Sequence, residues 1–148
     1  MMNYAIDRKF NLERFVEAQE QEYTNALAEI RDGRKRSHWI WYIFPQIKGL
    51  GHSYNSEYYG IESLDEARAY LEHEVLGARL REITTTLLQH RGCTAEDILG
   101  EIDAKKVRSS MTLFDIVSPN DIFAEVIKNF YGGRKCRFTL QRLGDKLK

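Results

Sequence analysis

The chain has 148 residues, enough for one domain that buries roughly 70% of its unfolded surface without disulfide or metal staples. Its 22 Lys and Arg balance its 22 Asp and Glu, so no whole-molecule field would recruit nucleic acid or an anionic membrane. Cys93 and Cys136 stand alone, follow no metal-ligand spacing, and read as reduced thiols.

Met1-Met2-Asn3-Tyr4 lacks the basic-then-apolar plan of a secretory signal, and a cytoplasmic location is expected. Residues 1 to 8 read as a loose arm. Leu12, Phe15, Val16, Gln19, Tyr23, Leu27 and Ile30 then recur at helical spacing, with Asn11 as the expected N-cap and Gly33 as the stop. Arg31-Asp32-Gly33-Arg34-Lys35-Arg36 is the one basic cluster, and on a neutral protein it reads as solvated surface rather than a nucleic-acid site.

The densest feature follows: His38-Trp39-Ile40-Trp41-Tyr42-Ile43-Phe44-Pro45-Gln46, then Gly49-Leu50-Gly51-His52-Ser53. Pro45 must end or kink any helix begun at Ser37, and the glycines let the backbone bend or approach a ligand. So much aromatic surface has to be packed, as a core or as the wall of a ligand pocket. The run is too short to cross the ~30 Å core of a bilayer.

Ser63-Leu64-Asp65-Glu66 is a capping box that opens a helix through Ala67 and Leu71. Leu76, Leu80, Ile83 and Leu87 mark the next helix, closed by Gly92, and Thr94-Ala95-Glu96-Asp97 starts a short one that Gly100 ends. Asp103 is the expected cap of a helix striped by Val107, Met111 and Phe114. Ser118-Pro119 reads as the start of a helix carrying Ile122, Val126, Ile127 and Phe130, broken by Gly132-Gly133. Cys136, Leu140, Leu143 and Leu147 trace the last one. With no competing strand pattern or repeat, the chain reads as a single all-α domain.

Two groups of residues suggest chemistry. His38 and His52 are the acid/base candidates, because histidine alone titrates near neutrality without help. A metal site from His38, His52 and His73 would need three distant segments to converge, so no metal or cofactor is expected. Lys105-Lys106-Val107-Arg108-Ser109-Ser110-Met111-Thr112 clusters cations and hydroxyls near a helix start, where the dipole favours an anion. Ser110 shares the apolar stripe and needs a buried partner, whereas Ser109 and Thr112 lie off it.

The aromatic run, the Gly49–Ser53 segment and Ser109-Ser110-Met111-Thr112-Leu113-Phe114 resemble domain-of-unknown-function family 1810. So do Glu66-Ala67-Arg68-Ala69-Tyr70-Leu71 and Leu76-Gly77-Ala78-Arg79-Leu80, and the likeness runs from about Leu12 to Leu143. The resemblance implies a compact all-helical bacterial-type domain and no activity. The label "calpastatin" that some members carry implies a disordered, repetitive inhibitor, which this sequence does not look like. Two positions depart from the family pattern. Glu74 stands where a proline would follow His73, which predicts flanking helices closer to continuous. Cys136 stands where the family has an acid before Thr139-Leu140, so a catalytic or a capping role of that acid is lost here.

The leading expectation is a small-molecule pocket for an anionic ligand such as a nucleotide or ADP-ribose-like metabolite. Trp39 or Trp41 would wall the ligand, His38, Gln46, His52 and Ser53 would place hydrogen bonds, and Arg79, Lys106, Ser109, Ser110 and Thr112 would meet negative charge. The alternative is a non-catalytic protein interaction module with a tryptophan exposed on a flat patch. A hydrolase would need His38 or His52 bonded to Ser53 or Ser109.

Overall fold

A computed structural model describes residues 9–147, with side chains through Gly144; the arm expected at residues 1 to 8 lies outside them. The described chain is all helical. In order it forms α1 (Glu13–Arg31), α2 (Ile40–Ile43), α3 (Tyr54–Tyr58), α4 (Leu64–Glu72), α5 (Leu76–Leu88), α6 (Ala95–Leu99), α7 (Glu101–Val117), α8 (Ile122–Tyr131) and α9 (Arg137–Leu147). One isolated parallel bridge, Ile47 to Ile61, ties the loop after α2 to the start of the α4 segment.

Helix α7 is the centre. It packs against α4, α6, α8 and α9, while α5 joins α1, α4 and α8 around it. An aromatic chain crosses this core from α1 to α8. Phe15 meets Tyr70 edge-on at 5.0 Å, Tyr70 meets Phe114 at 5.5 Å, and Phe114 meets Phe123 at 5.8 Å. One ion pair is buried beside it. The Arg14 guanidinium donates to Glu66 Oε2 at 2.7 Å and to the carbonyls of Phe10, Asn11, Tyr58 and Gly60, which commits every N–H it has.

Several helix ends differ from the sequence expectation. Asn11 is left-handed (φ 53°) and does not cap α1; Leu12 holds the cap position without a side-chain bond. At α4, Ser63 Oγ accepts from the Glu66 amide as a capping box requires, but Glu66 reaches back to the Glu62 amide instead of to Ser63. The α7 cap is Gly100 (φ 84°), not Asp103, because α6 runs straight into α7 and only glycine takes that turn readily. Asp121, rather than Ser118-Pro119, opens α8, and Ser118 Oγ donates to its carboxylate at 2.7 Å.

Glu74 does not make α4 and α5 continuous. His73 is extended (φ −64°, ψ 134°), and its Nδ1 accepts from the amides of Val75 and Leu76, so the imidazole caps the start of α5. The kink also brings Gly77 onto α4, where a Cβ would lie 2.0 Å from the Leu71 carbonyl oxygen. From Cys136, just before α9, the inward stripe runs through Thr139 and Leu143, while Leu140 is exposed. Thr139 turns inward because its hydroxyl pairs with Ser109 of α7 at 2.8 Å.

Candidate functional site

The two tryptophans take opposite roles, and Glu29 decides which. Its carboxylate, at the end of α1, accepts from the amides of Arg36 and Ser37, the Ser37 hydroxyl, Asn25 Nδ2 and Trp39 Nε1. Burial alone would raise its pKa. The bonds from Ser37, Arg36 and Trp39 outweigh it and bring the pKa down to about 2. This clamp folds the Asp32–His38 segment over α1 and seals Trp39, which is 0% exposed. Trp39 is therefore core. The short turn of α2 then carries Trp41 to the other side, where it is only partly buried.

Trp41 forms one wall of a groove of about 470 Å³ between α2 and the α6–α7 junction. His38 lies exposed at its rim, and the Lys106 ammonium sits 5.0 Å over the Trp41 ring centroid. Lys35 also lines the groove. Its side chain is 6% exposed, and its ammonium bonds the Ser37 carbonyl and pairs with Asp103 at 2.8 Å. Asp103 is 3.7 Å from Lys106, so the two lysines share a single carboxylate. The first turn of α7 closes the far side, and Gly100 offers its amides no side-chain cap. The same turn carries Glu101 and Asp103, so the groove sets two lysines against two carboxylates beside an aromatic face.

A larger concavity of about 740 Å³ lies beside Arg14, but that guanidinium has no N–H left to offer. Among the described residues no group of three His, Cys, Asp or Glu is placed to hold a metal ion, and no helix is long and apolar enough to cross a membrane.

The other residues singled out from the sequence lie elsewhere. Gln46 is buried, and its carbonyl accepts the Ile61 amide in the bridge. His52 and Ser53 are on the surface, where Ser53 Oγ caps α3 and donates to Ser56. Arg79 covers α1, 5.2 Å over the Tyr23 ring and bonded to Gln19 and Glu20. Ser109 and Thr112 join α7 to α9: Ser109 bonds Thr139, and Thr112 Oγ1 donates to the Arg108 carbonyl and accepts the Cys136 amide. Ser110 faces inward, 0% exposed, with no hydrogen-bond partner among the described residues. Neither His38 nor His52 bonds Ser53 or Ser109.

The groove thus unites His38, Trp41 and Lys106 and leaves out Gln46, His52, Ser53, Arg79, Ser109, Ser110 and Thr112. Lys35 and Asp103 belong to it and were missed, because one reads as solvated charge and the other as a helix cap. Their pairing spans a long stretch of chain and has no local signal.

The central helix, the kinked α4–α5 pair and this groove define a compact all-helical domain of a type without an assigned chemistry. The family model described as "Protein of unknown function (DUF1810)" matches residues 9–143, and the chain belongs to that family. It is similar to the conserved hypothetical protein Rv1873 from Mycobacterium tuberculosis, whose crystal structure superposes with a TM-score of 0.90 at 45% identity. That match covers 92% of this chain and 98% of the other. No curated protein matches closely enough to lend it an activity.

Proposed function

We propose that this protein binds a small anionic metabolite of the nucleotide or ADP-ribose class in the Trp41–Lys106 groove. The observation that carries the reading is the Lys106 ammonium held over the face of Trp41, with one carboxylate shared between two lysines. In this reading a planar ring takes a place against Trp41, and a negatively charged group draws Lys106 away from Asp103. His38, the one histidine lining the groove, is positioned to hydrogen-bond the ligand and would serve as general base if the ligand is hydrolysed. Exposed Cys93 and buried Cys136 form no disulfide with each other, which fits a cytoplasmic setting.

The test is a thermal-shift series with nucleotides, NAD and ADP-ribose. A ligand at about 100 times its Kd adds roughly 2.7 kcal/mol, which raises Tm by several degrees. Lys106→Met should abolish the shift and His38→Ala should weaken it. A shift that survives both substitutions would place binding outside this groove.

A second reading, a protein interaction module, is favoured by a different observation. Tyr54, 76% exposed, stacks at 5.6 Å on Tyr58, which is 41% exposed, and this leaves an aromatic step on the α3 surface. Acrylamide quenching bears on the tryptophan version of that module. Strong quenching of Trp41, with Trp39 shielded in the core, would favour docking through the aromatic run over a groove.

A further inference from the structure

Beyond Lys106, outside the residues that line the groove, α7 packs on α9. Helices α7 and α9 run antiparallel, because Ser109 meets Thr139 and Thr112 meets the Cys136 amide. One turn further in each direction, Arg142 of α9 comes level with Lys106 of α7. Arg142 makes no hydrogen bond or ion pair among the described residues, and its Nε is sealed from solvent without an acceptor. Its guanidinium lies against the Gly49–Gly51 loop so closely that a Cβ on Gly49 would stand 2.9 Å from Cζ. Gly49 has φ 108°, a conformation that side chains rarely adopt, so the loop is built to let this approach happen. Trp41 Nε1 and Ser110 Oγ, the latter one turn along α7 from Lys106, are also sealed and unpaired. Asp103 is the carboxylate paired with Lys106, and Lys35 holds it more closely.

A cation with no counter-charge among the described residues, level with a second one whose carboxylate is shared, is a poor stabilising device and a good anion receptor. We infer that Arg142, level with Lys106 and laid on the Gly49–Gly51 loop, forms an oxyanion subsite for a phosphate group of the ligand. The inference rests on the groove reading above and extends it: the bound metabolite is a phosphate ester whose planar part meets Trp41. Arginine suits this position because its planar fork matches two phosphate oxygens at once.

The experiment uses the full chain and two substitutions, Arg142→Met and Trp41→Leu. Inorganic phosphate binding is followed by phosphorus-NMR line broadening, with acetate competing at matched ionic strength, and ADP-ribose binding is followed by isothermal titration calorimetry, which does not depend on a tryptophan reporter. Phosphate should bind in preference to acetate, and Arg142→Met should weaken it about ten-fold or more. The same substitution should leave Tm unchanged or higher, since it removes an unpaired sealed donor. A structural role would instead lower Tm by several degrees and overturn the proposal, as would phosphate binding that is absent, equalled by acetate or indifferent to Arg142→Met. ADP-ribose binding that needs Trp41 but ignores Arg142 would overturn the subsite and leave the groove reading standing. Arg142-dependent phosphate binding with no ADP-ribose response would support the subsite and overturn the groove reading.

Discussion

Glu29 shows how one side chain can set the position of a whole segment. Five donors converge on its carboxylate, and the aromatic run owes its orientation to them. Its pKa is about 2 when folded against an ordinary 4.5. The folded state thus holds the charged form more tightly than the unfolded chain does. This contributes stability that is fully present above pH 4.5 and is lost as pH falls toward 2, on the order of 3 kcal/mol. Glu29→Gln should lower stability by about that amount near neutrality, and the gap to the wild type should close across the same window. Urea midpoints measured for both proteins down the pH scale check it. A gap that stays constant with pH would mean the carboxylate's charge is not what holds Trp39. Nothing in the sequence marks Glu29, which reads as one more charged position on α1. Two of its partners are backbone amides and three are side chains, and where the chain brings them together is invisible in residue identity.

At the scale of elements, the α4–α5 kink is the clearest case of a local break made for packing. His73 ends one helix and caps the next through Nδ1, and Gly77 then presses against the Leu71 carbonyl. A methyl group there would meet backbone, which cannot rotate away. Gly77→Ala should therefore cost about 3 kcal/mol, the upper end of overpacking, although alanine is the better helix former. Chemical denaturation should show a lower midpoint with an unchanged slope; a stabilised variant would show that the two helices can separate freely. The helices themselves were legible because apolar spacing is a local signal. Their ends were less so, since Gly100 displaced Asp103 and Asp121 displaced Ser118 as the starts of α7 and α8. Several residues near each end are chemically able to cap, and the path to the next helix selects among them.

Across the whole molecule, the aromatic chain Phe15–Tyr70–Phe114–Phe123 makes the helices interdependent, because each ring belongs to a different one. Phe114, near the end of α7, touches two of the others. Phe114→Ala should cost about 3–5 kcal/mol. Unfolding should remain a single transition, since no helix pair retains a separate core. Far-UV circular dichroism and Trp fluorescence should therefore report the same midpoint in that variant; two separated midpoints would show that α7 is not the common element.

Residue identity by itself determined an all-helical domain, its approximate helices and the place where aromatic chemistry concentrates. Each of these follows from spacing within a few turns of chain. Tertiary structure decided the rest. It sent Trp39 inward and Trp41 to the groove, used Ser109 and Thr112 to join helices, and put His52 and Ser53 on the surface. It also brought Lys35 to Asp103 and Arg142 level with Lys106. Those pairings join residues far apart in the chain, and their geometry comes from how the helices pack, which no local pattern encodes.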